Sequence, residues 1–101
     1  MSRGLSDGLA CEMQRIVRRA GEPWTPGDSV KAAISRAARR LGLSFRRTRS
    51  IWYADPRAAI RAYEADELRR REWDLLLDRK HRLDAELAQL TARIDEAHAS
   101  Q

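Results

Sequence analysis

An all-α fold is predicted by three features of this 101-residue chain. Apolar residues recur at steps of three and four, helix caps and breakers punctuate them, and no alternating β-branched runs exist for a hairpin to join. The expected architecture is a compact head of three helices plus the start of a fourth, followed by a long C-terminal coiled-coil helix. Residues 1–55 make the head, 56–98 the long helix and 99–101 a disordered tail.

Ser6 or Asp7 can cap a first helix with Leu9, Met13, Ile16, Val17 and Ala20 as its apolar side, ended by Gly21. Cys11 sits among Leu9, Met13 and Ile16 and is expected to be a buried, inert thiol. Breakers fill Gly21 to Gly27, and Trp24 there is expected to close the core. Thr25 as N-cap, Pro26 at the first helical position and Asp28 two residues on then start a second helix. Its stripe is Val30, Ala33, Ile34, Ala37, Ala38 and Leu41, with Gly42 as the C-cap. Ser44 caps a third helix whose inner side is Thr48, Ile51 and Trp52. Asp55-Pro56 is another cap and first-turn pair, so the third helix stops near Ala54 and a fourth starts at Pro56.

From Pro56 to about Ala97 there is no Gly or Pro. Such a helix runs roughly 60 Å, too long for a small head to wrap. Its first turns can pack on the first helix through Ile60, Tyr63 and Leu68. Trp73, Leu76, Lys80, Leu83, Leu87, Leu90, Ile94 and Ala97 then alternate spacings of three and four, a heptad seam. A lone helix exposing that stripe would be prone to aggregation, so a second copy is expected to cover it. Lys80 within the seam favours two strands and helps fix register.

Charge is segregated. Lys31 to Ala54 holds seven bases and no acid, whereas residues 1–30 are balanced and 55–101 carry −2, so this block accounts for the whole net +5. A cationic block on an otherwise neutral chain points to a polyanion partner. Within it, Ala37-Ala-Arg-Arg-Leu41-Gly-Leu-Ser-Phe-Arg-Arg-Thr-Arg-Ser-Ile51-Trp resembles the helix-turn-helix signature of bacterial and phage DNA-binding regulators, over residues 33–53. Ala38 and Gly42 match its small residue and its turn glycine, Leu41 and Leu43 its apolar flanks, and Thr48 and Ile51 its later core positions. Thr48 departs from the usual Val or Ile.

The resemblance implies a recognition helix over 44–53 lying in the major groove of double-stranded DNA. Arg46 and Arg49 are expected at guanine edges, with Phe45 and Ser50 as further base contacts. Lys31, Arg36, Arg39, Arg40, Ser44, Arg47 and Tyr53 are expected at phosphates. The dimer would be held by Trp73, Leu76, Lys80, Leu83, Leu87, Leu90 and Ile94. A transcriptional regulator of this kind is cytoplasmic and nucleoid-associated, which suits a lone cysteine and a start without a signal-peptide h-region.

An alternative is a DNA-packaging or assembly subunit of a phage or mobile element, similar to small terminase subunits at a coarse level. A third reading is a helical adaptor using only the coiled coil. No apolar run approaches a membrane span. His81 and His98 lack partners at metal spacing, and no nucleophile–base pair or phosphate loop is evident. Neither an enzyme, a cofactor, a metal nor a small-molecule effector is therefore expected. RNA is disfavoured because no aromatic platform for unpaired bases is evident.

Overall fold

The computed structural model describes residues 3–100 as four helices: α1 (Arg3–Ala20), α2 (Val30–Leu41), α3 (Phe45–Trp52) and α4 (Ala62–Ala99). No strand occurs among the described residues. The all-α architecture is therefore as the periodicity requires: three short packed helices and one long one. Overall dimensions of 67 × 32 × 21 Å follow from α4, whose 38 residues reach far beyond the head.

α1 touches each of the other helices and α2 touches α3 and α4, whereas α3 and α4 do not pack on each other. The core between them is Met13, Ile16 and Val17 from α1, Ala33, Ile34, Ala37 and Leu41 from α2, Ile51 and Trp52 from α3, and Ala65 and Leu68 from α4. Gly21 is needed for close packing. A Cβ there would stand 2.9 Å from the Ala33 carbonyl oxygen and 3.1 Å from the Trp52 ring.

Several expected boundaries move. α1 runs back to Arg3, so Ser6 and Asp7 lie inside it, no Pro standing before them to break the helix. α2 starts five residues later than Thr25: Gly27 at φ 87° turns the chain out of the helix. Thr25 N–H donates to Asp28 Oδ2 (3.0 Å) and Asp28 N–H to the Thr25 carbonyl (2.9 Å), closing a separate turn. Ser29 becomes the N-cap, accepting from Ala32 N–H at 3.0 Å.

Asp55-Pro56 likewise closes one turn, with Asp55 accepting from the Arg57 and Ala58 amides at 2.9 Å. The chain then stays non-helical to Arg61 while Ile60 packs on the core, and α4 begins at Ala62 rather than Pro56. At its other end α4 includes Ala99 with Ser100 as its cap, where a disordered tail was expected; Gln101 lies outside the described residues.

Three side chains depart from expectation. Cys11 is exposed, because it lines up with Arg15 and Arg18 rather than with Leu9, Met13 and Ile16. Trp24 is half-exposed, tilted against Trp52 at 6.4 Å between ring centroids. Tyr63 faces solvent, while Leu68 is buried and Ile60 partly so.

Candidate nucleic-acid interface

The α2–α3 connection is a three-residue turn built as the sequence suggests. Gly42 adopts φ 69°, the left-handed conformation that Gly takes without strain, and Leu43 N–H returns to the Ala38 carbonyl at 3.0 Å. Leu43 packs on the core, and Ser44 caps α3 by accepting from Arg47 N–H at 3.1 Å. Thr48 is fully buried, its hydroxyl donating to the Ser44 carbonyl at 2.8 Å, which satisfies the polar group where an aliphatic residue is usual. With Thr48, Ile51 and Trp52 inward, α3 has a fixed outer face.

That face carries Phe45, Arg46, Arg49 and Tyr53, all exposed. The Arg49 guanidinium lies 5.8 Å from the Tyr53 ring centroid, a cation–π contact that does not consume its N–H donors. Ser50 is half-buried and donates to the Arg46 carbonyl at 3.1 Å, so its oxygen retains the capacity to accept a hydrogen bond. Among the described residues neither Arg46 nor Arg49 meets a carboxylate. Lys31 and Arg39 are also exposed, and among the described residues neither meets a carboxylate; both lie on the edge of α2 that includes Ser35.

The other three arginines of the cationic block are bound within the fold, where phosphate contacts were expected. Arg36 donates to Asp28 (2.8 Å) and to the Pro23 and Gly21 carbonyls. Arg40 donates to the Ala20 carbonyl at 2.9 Å and to that of Glu22. Both thus hold the 20–28 segment against α2 and satisfy carbonyls at the end of α1. Partial burial and neighbouring arginines pull the Arg40 guanidinium below its ordinary pKa. The Thr25 amide and Arg36 together hold the Asp28 carboxyl below the usual carboxylate range.

Arg47 forms a fork with Glu64 at the start of α4, Nε to Oε2 at 2.8 Å, and also donates to the Ala59 carbonyl at 2.6 Å. This is the side-chain tie between α3 and α4, which do not pack directly. Its electrostatics are mutual: hydrogen bonding to Glu64 raises Arg47, and Arg47 lowers the Glu64 carboxyl. A second fork, Arg69 to Glu12 with both distances 2.8 Å, joins α4 to α1 and lowers the Glu12 carboxyl. Composition marks Arg36, Arg40 and Arg47 as members of one cationic block with Lys31, Arg39, Arg46 and Arg49; only the fold separates the clamps from the others.

Along α4 the apolar stripe is open to solvent. Trp73 is 65% exposed and Leu87 63%, and Leu76, Leu83, Leu90 and Ile94 are also exposed. Lys80 sits in the stripe, paired with Asp84 of its own helix at 2.8 Å. Where α4 leaves the head, a cleft of about 1080 Å³ opens between it and the 20–24 turn, floored by Leu41, Leu75 and Leu76.

Among the described residues no cluster of His, Cys, Asp and Glu is arranged to hold a metal ion. No helix is long and apolar enough to cross a membrane. Comparison of the chain with protein-family models, curated proteins and solved structures finds no match.

Proposed function

We propose that this chain is a homodimeric, sequence-specific double-stranded DNA-binding protein of the transcriptional-regulator kind, with α3 entering the major groove. One observation carries the reading: the outer face of α3 holds Arg46 and Arg49, exposed and without a carboxylate partner, beside Phe45 and Tyr53. A solvated structural helix would pair such arginines with acids at i±3 or i±4. Here Asp28, Glu64 and Glu12 serve Arg36, Arg47 and Arg69 instead.

Arg46 and Arg49 are the residues for guanine O6 and N7. Phe45 supplies apolar contact, and Ser50 reaches a base with its free lone pairs. Phosphate grip falls to Lys31, Arg39 and Tyr53, with the amide end of α3 at Ser44. Arg36, Arg40 and Arg47 leave that set because each is anchored to carbonyls or a carboxylate of the fold. The exposed stripe of α4 supports the dimer, since a helix left so apolar on one side needs a covering partner. The same stripe would serve an assembly subunit, and oligomer size separates the two: a dimer supports the regulator, a ring of many copies the packaging role.

Selection from a random duplex library at two salt concentrations tests the reading. A defined motif is expected, with Arg46→Ala or Arg49→Ala relaxing preference by about 1–3 kcal/mol per lost contact. Arg39→Ala should instead weaken binding to all sequences. Absence of any enriched motif, or equal loss in all three variants, would overturn it.

A further inference from the structure

We infer that α4 pairs with α4 of a second copy of this chain in an antiparallel coiled coil, with Trp73 opposite the partner's Leu90, Leu76 opposite the partner's Leu87 and Lys80 opposite the partner's Leu83. This rests on the dimer reading above and specifies its geometry. Charges flanking the seam decide the direction. One flank carries Glu72, Arg79, Glu86 and Arg93 at seven-residue steps; the other carries Leu77, Asp84, Thr91 and His98.

In an antiparallel coil, like flanks meet. Glu72 then faces the partner's Arg93 and Arg79 the partner's Glu86, and two-fold symmetry repeats both pairs. Lys80, already on Asp84 of its own helix, comes level with the partner's Asp84.

Other arrangements fit worse. In a parallel coil unlike flanks meet, leaving Arg79 with the partner's Asp84 as the complementary pair, while Lys80 faces Lys80. Sliding the antiparallel register one heptad toward the tail sets Glu86 against Glu86 and Arg79 against Arg93. One heptad the other way sets Arg79 against Arg79 and Glu72 against Glu86. Two heptads toward the tail restore the signs but leave Trp73 and Leu76, both exposed, uncovered.

The direction also bears on DNA. The head packs on α4 through Ala65, Leu68 and Leu75, with Arg19 near Glu72, so it sits on the Glu72 flank. Joining like flanks puts both heads on one side of the coil. In each head α3 packs on α1 and α2 but not α4, so it lies on the outer side. With the head contacts on α4 centred near Arg70 and the two-fold axis between His81 and Arg82, the two head centres stand about 35 Å apart along the coil at 1.5 Å per residue, of the same order as the 34–36 Å between successive major grooves on one face of B-DNA. A parallel coil would turn the two heads to opposite sides.

Sedimentation equilibrium on Arg79→Glu, Glu86→Arg and the double variant tests the register. Each single change should weaken dimerisation by about tenfold or more, and the double swap should restore it to within about threefold. In a parallel coil Arg79→Glu meets the partner's Asp84 whatever stands at 86, so a double variant that stays weak overturns the proposal. As a second readout in a Cys11→Ser background, Leu90→Cys should form a disulfide with Trp73→Cys in mixed dimers but not with itself. A Leu90→Cys homodisulfide refutes the direction alone. A monomer at micromolar concentration refutes the dimer as well, while the selection experiment judges DNA binding independently.

Discussion

Replacing Arg47 by Ala separates a clamp from a phosphate contact. Arg47 and Glu64 are only 28% and 17% exposed, so their fork is screened less than a surface ion pair. Truncation removes two charge-assisted bonds to Glu64 and one to the Ala59 carbonyl, and leaves a half-buried carboxylate without its partner. Charge-assisted hydrogen bonds contribute about 1.5–3 kcal/mol each in favourable cases. After a discount for the remaining solvent access, the expected loss is about 2–3 kcal/mol for the head. At this chain length that lowers Tm by roughly 10–20 °C. Tryptophan fluorescence is the suitable probe, because Trp52 is in the head core whereas helical circular dichroism is dominated by α4.

Two further readouts distinguish the roles. The folded Glu64 carboxyl titrates below its unfolded value, so its contribution is complete above the unfolded pKa and is lost as pH falls through the folded one. Wild-type stability should therefore decline on acidification below about pH 4–5, and Arg47→Ala should remove part of that slope. Under conditions where the variant is folded, the salt dependence of DNA affinity should be unchanged. If stability stays within about 0.5 kcal/mol of wild type while the salt slope falls by about 0.9, Arg47 grips a phosphate and the clamp assignment is wrong.

Gly21→Ala should cost about 1–3 kcal/mol, since its Cβ would press on backbone at 2.9 Å and on the Trp52 ring, neither free to move; a neutral result by urea denaturation would contradict the close packing there. Leu68→Ala should cost about 2–5 kcal/mol and detach α4 from the head, as shown by raised amide exchange in its first turns; unchanged protection there would mean the head does not hold α4.

The inner and outer faces of α2 and α3 were legible because they follow from helical periodicity alone, and the Leu41-Gly-Leu-Ser turn because Gly42 and Ser44 act on their immediate neighbours. Helix starts were less legible. Thr25-Pro26 and Asp55-Pro56 are good local caps, and each does close a turn. Whether a helix continues from that turn depends on distant partners: Arg36 takes Asp28, and Ile60 takes up a place on the core. The stripe on α4 was visible in the same way as those on the head, but a single chain leaves it exposed.

The cationic block shows the same limit. Sequence gives seven positive charges between Lys31 and Ala54, but it cannot show that Arg36 and Arg40 reach carbonyls at the end of α1, or that Arg47 reaches a carboxylate seventeen residues on. The carbonyl acceptors have no sequence signature, because any residue supplies one, and Glu64 is one of eleven acids between Asp55 and Glu96. Removing the three clamps leaves Lys31, Arg39, Arg46 and Arg49, and these are divided between the outer faces of two helices joined by a fixed turn. Under the proposed DNA reading, four cations on a rigid pair of helices favour orientation over sheer attraction: a patch of seven would bind any duplex strongly, whereas a patch of four would depend more on what Arg46 and Arg49 meet in the groove.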